Sequence, residues 1–506
     1  MPMVPIDIPP GLNKNATPYK RRGRWEDGNL VRWFNGSVRA IGGWLRRTNG
    51  VYVDIPALVA NPTLEAVRDG YAWRSNAQDQ HAVFGSNLKL YHMSQLGAIT
   101  DITPAGVTVS VKDASAVAGY GNNPYGAGAY GVANALIAQD TLPPNRWAFT
   151  NYGELLLACQ RDVGGLYEVD PSTLTITTVT NAPVDIQDVI VTEERIVFTV
   201  GSGPTARLVK WSDQENRNLW VAALDNQAGE FTLAGSGKLL RVLNVLQQYL
   251  IVAENDVHVA RYVAPPYVFS FELAARNCGP IAAEAVVGTE RFAVWWGDTT
   301  FWLYDGTVKA LPCEVMDFLL TDIEPVQVSK VSGFTNNQYG EVWWLYQSTS
   351  STTTECDSYV VWNYVDNIWT TGRLDRTCGV DKGTLTYPVQ VSSAGLTYTH
   401  EQMGVFPSEG SVFVESGEID MDNGNVNLAC RYLYPDTENY ADISVEIIGR
   451  QFPTNVAYTY GPYVYNNPTP TRAMGRALKF KFTLLSAAAE LGVTRADIAP
   501  MGTGRR

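Results

Sequence analysis

Short apolar segments that alternate with polar turns dominate the chain from about residue 51 to residue 404. Each segment is rich in β-branched, Leu and aromatic residues, and a turn joins it to a second segment that ends in an aromatic residue. Continuous apolar runs of this length, bounded by turn residues, are typical of strands buried within a sheet. Six copies of this pair are visible, and their second segments end at Tyr91, Tyr167, Trp211, Tyr262, Tyr304 and Trp362.

The spacing of these aromatic residues indicates a repeat. Successive copies lie 76, 44, 51, 42 and 58 residues apart, and β-propellers repeat a four-stranded blade roughly every 40–50 residues. The longest spacing contains a Gly- and Tyr-rich insertion near residues 105–150. The repeat predicts a β-propeller of about six blades over residues 51–404. A run of hairpins in two β-sandwiches would give similar strand and turn statistics.

Residues 405–506 predict a smaller, separate β-rich section that resembles a β-sandwich. Its strand-like segments are 412–414, 428–432, 443–448 and 477–483. The last of these alternates apolar and polar positions with Lys479 and Lys481 on one face, which predicts a half-solvated strand.

Composition supports an all-β fold and constrains function. The 506 residues include 14 Trp, 26 Tyr and 44 Gly, with only 18% charged residues. Aromatic residues suit pleated, half-buried surfaces, and Gly suits turns. The net charge of −13 argues against a general nucleic-acid binder, which needs a basic face. An acidic wall along which DNA slides without sticking remains compatible with this charge.

Residues 1–50 differ from the rest because basic residues and tryptophans alternate there. Nine Lys and Arg stand against three Asp and Glu. Such a segment could bind nucleic acid, but in an acidic protein we favour an arm that packs Trp into a neighbouring subunit and pairs Arg with acids. The tyrosines of the insertion could also make protein contacts. The predicted assembly-interface residues are Arg24, Trp25, Arg32, Trp33, Trp44, Tyr120, Tyr125 and Tyr130.

The sequence contains no strong catalytic pattern. The four histidines lack metal-binding spacing, and no serine-hydrolase elbow or P-loop is present. The six cysteines form no C-x-x-C pair, which favours free thiols in a protein made in a reducing cytoplasm. The N-terminus does not read as a signal peptide, and no apolar run is long enough for a membrane helix. We expect a non-enzymatic protein with no cofactor and no metal site.

Segments spread over nearly the whole chain resemble tail nozzle, or tail tubular, structural proteins of short-tailed bacteriophages. They are specific as a set, although each is weak alone. Among these segments are 8–11, 23–33, 42–44, 210–216, 277–281, 304–306, 341–344, 359–364, 415–417 and 504–506.

This resemblance implies a ring, most simply a homo-hexamer, in the virion tail below the portal and its adaptor, or head-to-tail connector. It implies a propeller on the outside, and a platform formed by the N-terminal arm (1–50) and the C-terminal section (405–506). Fibre, spike or needle proteins would dock nearby, and genomic DNA would pass through the lumen during ejection without sequence-specific binding. The protein would be made in the host bacterial cytoplasm.

Two further expectations follow from the resemblance. The region of Trp25, Trp33 and Trp44 would be buried where the platform forms, and a chain lacking residues 1–45 would keep a folded propeller but lose assembly. The alternative function is a propeller that binds a host glycan or receptor, and a depolymerising tail enzyme is a third.

Overall fold

A computed structural model describes residues 3–15, 17–46, 63–116, 141–202, 205–421, 424–452 and 455–501. Antiparallel strands supply nearly all of the regular structure in these ranges. The N-terminal segment contributes five short strands: β1 (Met3–Ile6), β2 (Trp25–Asn29), β3 (Val31–Phe34), β4 (Ser37–Ala40) and β5 (Gly43–Arg46).

The first four blades of a propeller follow in chain order. Blade 1 contains β6 (Val67–Arg74), β7 (Gln80–Ser86), β8 (Leu90–Met93) and β9 (Ile99–Asp101). The short strands β10 (Ser115–Ala116) and β11 (Thr141–Leu142) pair with each other. Blade 2 contains β12 (Trp147–Tyr152), β13 (Leu155–Gln160), β14 (Leu166–Val169) and β15 (Ile176–Thr178). Blade 3 contains β16 (Asp188–Val191), β17 (Val197–Val200), β18 (Leu208–Trp211) and β19 (Gly229–Thr232). Blade 4 contains β20 (Leu239–Val245), β21 (Gln248–Ala253), β22 (Asp256–Ala264) and β23 (Val268–Arg276).

Three further blades complete the ring. Blade 5 contains β24 (Val286–Gly288), β25 (Ala293–Trp296), β26 (Phe301–Tyr304) and β27 (Val308–Leu311). Blade 6 contains β28 (Ser332–Asn336), β29 (Glu341–Tyr346), β30 (Ser358–Asn363) and β31 (Ile368–Arg373). Blade 7 contains β32 (Cys378–Val380), β33 (Val389–Val391) and β34 (Thr397–Gln402), and β5 pairs with β34 as its fourth strand. Each innermost strand contacts those of both neighbouring blades, including β32 with β6.

The predicted all-β fold of a propeller with a platform is confirmed, but the described residues contain seven blades where the sequence indicated about six. The six sequence copies correspond to the second and third strands of blades 1 to 6. These strands are covered on both faces and therefore read as continuous apolar runs, as in β29, whose six residues are all buried. The middle strands of blade 7 read Val-Gln-Val and Thr-Tyr-Thr-His-Glu-Gln, so the apolar pattern missed them.

The closure of blade 7 corrects an expectation about truncation. Because β5 at Gly43–Arg46 is the outer strand of this blade, removing residues 1–45 would also remove most of a propeller strand. We therefore no longer expect that truncated chain to keep an intact propeller.

The C-terminal strands join the N-terminal ones in the platform. They are β35 (Val412–Ser416), β36 (Ile419–Asp420), β37 (Asn427–Tyr434), β38 (Ile443–Arg450), β39 (Tyr458–Val464), β40 (Thr469–Gly475), β41 (Ala477–Leu484), β42 (Glu490–Leu491) and β43 (Thr494–Met501). We call the sheet β1-β43-β37-β40 platform sheet 1, and the sheet β2-β35-β41-β38-β39, with β36 beside β41, platform sheet 2. A third sheet, β3-β4-β42, lies beside them.

Alternation along the strands explains how the two platform sheets pack. In β38, Ile443, Val445 and Ile447 are buried while the residues between them are partly exposed. The facing positions of sheet 1 include Leu428 and Leu433, and all of these residues belong to one hydrophobic core. That core continues into blades 5 and 6, so the platform and the propeller fold around shared apolar contacts.

Helices are few in the described part of the chain. One α-helix, α1 (Met316–Asp322), follows blade 5, and two 3₁₀ helices cover Ala283–Ala285 and Pro325–Lys330. Among the described residues there is no helix with the length and apolarity to cross a membrane.

Candidate assembly interface

Three tryptophans of the predicted interface lie in the core of their own chain. Trp25, Trp33 and Trp44 are each 5% exposed or less. The ring of Trp25 on β2 meets Phe482 of β41 edge-on, with centroids 6.3 Å apart. Trp33 belongs to the same core cluster. Trp25 and Trp33 are therefore buried against other residues of their own chain.

Trp44 has a different role, because it lies on the strand that closes blade 7. Its ring stacks on His400 with centroids 5.1 Å apart, and the Arg376 guanidinium lies 5.0 Å from its ring centroid. Arg376 Nε also donates a hydrogen bond to His400 Nε2 at 3.0 Å. Burial lowers the pKa of His400 well below its usual value, and the neighbouring Arg376 lowers it further. Trp44 thus anchors β5 to the blade through contacts of its ring with His400 and Arg376.

Arg32 fastens the N-terminal arm to the propeller. Its guanidinium forms two hydrogen bonds with Glu341 of blade 6, at 2.5 and 2.8 Å, and two with Glu401 of blade 7, at 2.7 and 3.0 Å. Asn336 donates to both carboxylates, at 3.2 and 3.0 Å. Burial by itself would lower the pKa of Arg32, but the two carboxylates raise it well above the usual value. Arg32 therefore remains charged and ties two blades to the arm.

The other predicted basic residue, Arg24, and its neighbours also find acids within the chain. Arg24 pairs with Glu314 just before α1. Four further pairs neutralise most of the remaining basic side chains of this segment: Lys14 with Asp27, Arg21 with Glu26, Arg22 with Asp420 and Arg39 with Glu490. The basic side chains that suggested a contact with another molecule are thus largely paired with carboxylates of their own chain.

The predicted interface between copies stays a prediction. Within the described conformation, however, Trp25, Arg32, Trp33 and Trp44 are buried and have no side-chain surface to offer a partner. The remaining predicted residues, Tyr120, Tyr125 and Tyr130, lie outside the described residues.

The outward face of platform sheet 1 was missed by the sequence analysis and exposes interface-like residues. Tyr432 of β37 lies beside Pro470 of β40 on one side and Asp497 of β43 on the other. Tyr432 is 40% exposed, and Met474 two positions beyond Arg472 on β40 is 48% exposed. This face, which we call the platform face, consists of Tyr432, Tyr434, Pro470, Arg472, Met474, Arg495 and Asp497.

A cleft opens at the edge where β39 and β40 lie side by side. It has a volume of about 360 Å³ and is lined by Tyr458, Tyr460, Met474 and Met501. The two sheets approach closely at Gly449, where an added Cβ would lie 2.3 Å from the Met474 carbonyl oxygen. Tyr458 is 65% exposed. Together with the platform face, this cleft forms the apolar and aromatic surface of the platform.

The central channel of the propeller is a second candidate site, with a cavity of about 450 Å³ lined by residues of all seven innermost strands. Asp69 of blade 1 accepts hydrogen bonds from the Trp147 backbone N–H at 2.8 Å and from Arg146 Nη2 at 2.7 Å. Asp188 of blade 3 accepts one from the Val242 backbone N–H at 2.9 Å. Each carboxylate thus ties its blade to the next one.

Glu284 completes this network between blades. It pairs with Arg161 and Arg241, which also lie 3.5 and 3.6 Å from Asp188. Burial opposes ionisation of Glu284, but Arg241 and Arg161 lower its pKa to about 2. Burial raises the pKa of Asp188 despite the same two arginines. Because every one of these carboxylates faces a guanidinium, the network is suited to holding blades together and offers no free acid–base pair.

Side chains also link blades that are not neighbours around the propeller. Arg146, at the start of blade 2, donates from Nη1 to the carbonyl oxygens of Ser329 and Val331 before blade 6, at 3.0 and 2.8 Å. Lys330 lies between them and pairs with Asp113 at 2.5 Å. Asp113 precedes β10 at the base of the insertion. These contacts add to the network that holds the blades together.

Several side chains that could carry chemistry are buried in the described part of the chain. His81 Nδ1 and His92 Nε2 share one hydrogen bond of 2.9 Å inside blade 1. Burial lowers the pKa of His92 to about 4, assisted by His81. Five of the six cysteines are buried, the sixth, Cys313, is partly buried, and all are free thiols. Within the described ranges, no three His, Cys, Asp or Glu residues are arranged to hold a metal ion.

Comparison of the sequence with known protein families finds no match, and comparison with curated proteins finds none either. Comparison of the structure finds propellers of low similarity. The WD40 domain of Pan2 from Neurospora crassa matches with a TM-score of 0.41 at 7% identity, over 74% of this chain and 99% of that one. A streptogramin B lyase matches with a TM-score of 0.33 at 9% identity, over 53% of this chain and 89% of that one.

Proposed function

We propose that this chain is a non-enzymatic structural protein of a short-tailed bacteriophage, a tail nozzle subunit that forms a ring below the portal and adaptor. The proposal is supported by the family resemblance of the sequence together with one structural observation. The platform exposes the face and cleft described above, whereas the buried polar groups at the centre of the propeller serve packing between blades. A protein built in this way presents surface for assembly.

The ring itself, and not the propeller axis, would conduct the genome. The propeller cavity of each chain has a volume of only about 450 Å³, so duplex DNA would pass between subunits, through the lumen of the ring. The basic N-terminal segment is largely neutralised by its own acids, which leaves little attraction for phosphate. Passage without sequence-specific binding fits this charge distribution. Fibre, spike or needle proteins would dock on the outside of the same ring.

A second candidate, a propeller that binds a host glycan or receptor, is favoured by the open part of the central cavity. Tyr71, Phe149 and Phe334 line it together with Asp381 and Thr384, and aromatic rings beside polar groups suit sugar recognition. Burial raises the pKa of Asp381, which is hydrogen-bonded to Thr335 at 2.9 Å.

The location of the chain tests the nozzle proposal, because a nozzle subunit must be part of the virion tail. Gold-labelled antibodies against the full chain should mark the tail of intact phage particles made by the host that carries the gene. Labelling confined to the host cell, with unlabelled particles, would contradict the nozzle proposal. Binding of a host polysaccharide that Phe334→Ala abolishes, without tail labelling, would favour the glycan-binding propeller.

A further inference from the structure

We infer that the platform face packs against the acidic propeller of a second copy of this chain, in a head-to-tail contact. This inference rests on the proposed ring and goes further, because it assigns the contact surface, its partner and its chemistry.

The residue types on the platform face are those enriched at protein interfaces. Tyr, Met and Arg are over-represented in interface cores relative to ordinary surface. Tyr432 and Tyr434 lie with ring centroids 6.4 Å apart. Pro470 is directly opposite Tyr432, and Met474 is opposite Ala429 in the neighbouring strand. These positions form a continuous outward patch on one antiparallel sheet, whose other face is buried against platform sheet 2.

Two arginines of this face differ from those of the N-terminal segment. Arg472 and Arg495 are exposed and form no ion pair with the described part of the chain. Arg24, Arg32 and Arg39, by contrast, each pair with a carboxylate at hydrogen-bond distance. The unpaired guanidinium groups of the platform face are available to carboxylates of another molecule.

The distribution of charge along the chain identifies that molecule. Residues 51–404, which contain the propeller, hold 37 Asp and Glu against 20 Lys and Arg. Residues 1–50 and 405–506, which contain the platform, hold 14 Asp and Glu against 18 Lys and Arg. Each copy therefore carries an acidic part and a slightly basic part. A contact between unlike parts relieves the repulsion that propeller-to-propeller contacts would create.

A contact between two different surfaces is heterologous, and such contacts close into rings when the rotation between copies permits. An isologous contact would instead place two platform faces with their arginines together. The charge pattern thus favours the kind of contact that a ring requires.

The open edges of the platform indicate that side chains make this contact. Pro5 of β1, Pro462 of β39 and Pro470 of β40 lie on the edge strands of the two main platform sheets. Proline cannot donate a backbone hydrogen bond, so these three edge strands are poor templates for a further strand. Assembly through side chains on the face avoids unlimited strand pairing and is compatible with a closed ring.

DNA is the competing ligand for a surface that combines Arg and Tyr. The carboxylate of Asp497 lies on the face next to Tyr432, where it would repel phosphate. Pro470 and Met474 add apolar surface, which suits a protein partner better than a nucleic-acid backbone.

The test compares two double variants of the full chain that reverse the same amount of charge. Arg472→Glu/Arg495→Glu alters the platform face, and Arg261→Glu/Arg276→Glu alters exposed arginines on the outer strands of blade 4. Light scattering gives the mass of each protein over a range of concentration, and thermal unfolding verifies that each one folds. We expect the platform variant to need a concentration higher by about tenfold or more for assembly, since several charge contacts are reversed. The blade 4 variant makes the acidic propeller more acidic and should therefore not weaken assembly.

Salt provides an independent readout. Raising the ionic strength from about 50 mM to about 500 mM should weaken assembly of the unmodified chain, because it screens attraction between unlike parts. Equal assembly of both variants, or assembly that strengthens with salt, would overturn the inference while leaving a ring intact. A duplex oligonucleotide that binds the unmodified chain but not the platform variant, with unchanged mass, would overturn it in favour of DNA. An unmodified chain that assembles neither alone nor with the adaptor would contradict the ring itself.

Discussion

The N-terminal segment and the platform face contain similar residues, and the fold uses them in opposite ways. Both combine arginines with aromatic side chains. In the N-terminal segment, Arg32 is buried between Glu341 and Glu401 and Trp44 is stacked on His400. On the platform face, Arg472 and Tyr432 are exposed. The comparison teaches that a segment rich in basic and aromatic residues can form contacts within its own chain as readily as it can expose them to a partner.

The largest expected effect comes from breaking the buried ion pairs of Arg32. Arg32→Ala leaves Glu341 and Glu401 buried without their cation, and we expect a loss of about 4 kcal/mol in the free energy of unfolding. Urea unfolding measures this loss. Arg39→Ala is the matched control, because Arg39 lies opposite Arg32 in the same hairpin but pairs with Glu490 near the surface. The control should cost less than about 1 kcal/mol, and equal losses would show that the buried network contributes nothing special.

A slightly smaller effect is expected where the same segment closes the propeller. Trp44→Ala removes a buried ring from between β5 and blade 7, and should cost roughly 3 kcal/mol in the free energy of unfolding. Hydrogen exchange should speed up in β5 and β34 before it does elsewhere. Leu45→Ala, at the neighbouring 49% exposed position, should change neither quantity appreciably. Uniform exchange throughout the chain after Trp44→Ala would contradict a local closing role.

A smaller effect is expected from acid, which should lower the free energy of unfolding through the histidines of the propeller. All four histidines lie in residues 51–404, and the pKa of each is lowered, that of His92 to about 4. Below pH 6.5 the unfolded chain binds protons that the folded chain excludes, so stability falls as the pH falls from 6.5 towards 4. For His92 the loss is about 2 kcal/mol between pH 7 and pH 5. Urea unfolding at both pH values measures it.

The variant His92→Phe removes one of these titrating groups and keeps a ring in place. Its stability should depend less on pH in this window than that of the unmodified chain. Identical pH dependence would mean that the His81–His92 pair does not resist protonation.

The propeller was largely predictable because its middle strands carry a local signal. Strands such as β25 and β29 are buried on both faces and are apolar throughout. Blade 7 was not predictable, because β5 comes from residues more than 300 positions away from its partner β34. Of its remaining strands, β32 and β33 have only three residues each, and β34 is mostly polar. Pairing between chain ends leaves no periodic signal in either segment.

The burial of the predicted interface residues within their own chain could not be predicted from the sequence for a related reason. The acids that neutralise the arm, Glu314, Glu341, Glu401 and Glu490, are distant in sequence and become neighbours only through folding. The platform face escaped attention because β40 and β43 bring Arg472 and Arg495 to one surface across separate strands. Lys479 is a further example. Its strand was predicted to be half-solvated, but this lysine is buried and paired with Glu26, which is distant in sequence.

The mass of the purified full chain in solution tests the central claim most directly. Light scattering over a range of concentration should give a closed assembly, with a mass about six times the 55.6 kDa of one chain, either alone or after the adaptor of the same phage is added. A chain that stays monomeric at every concentration and ignores the adaptor would contradict the ring subunit, and would direct attention to the glycan-binding propeller.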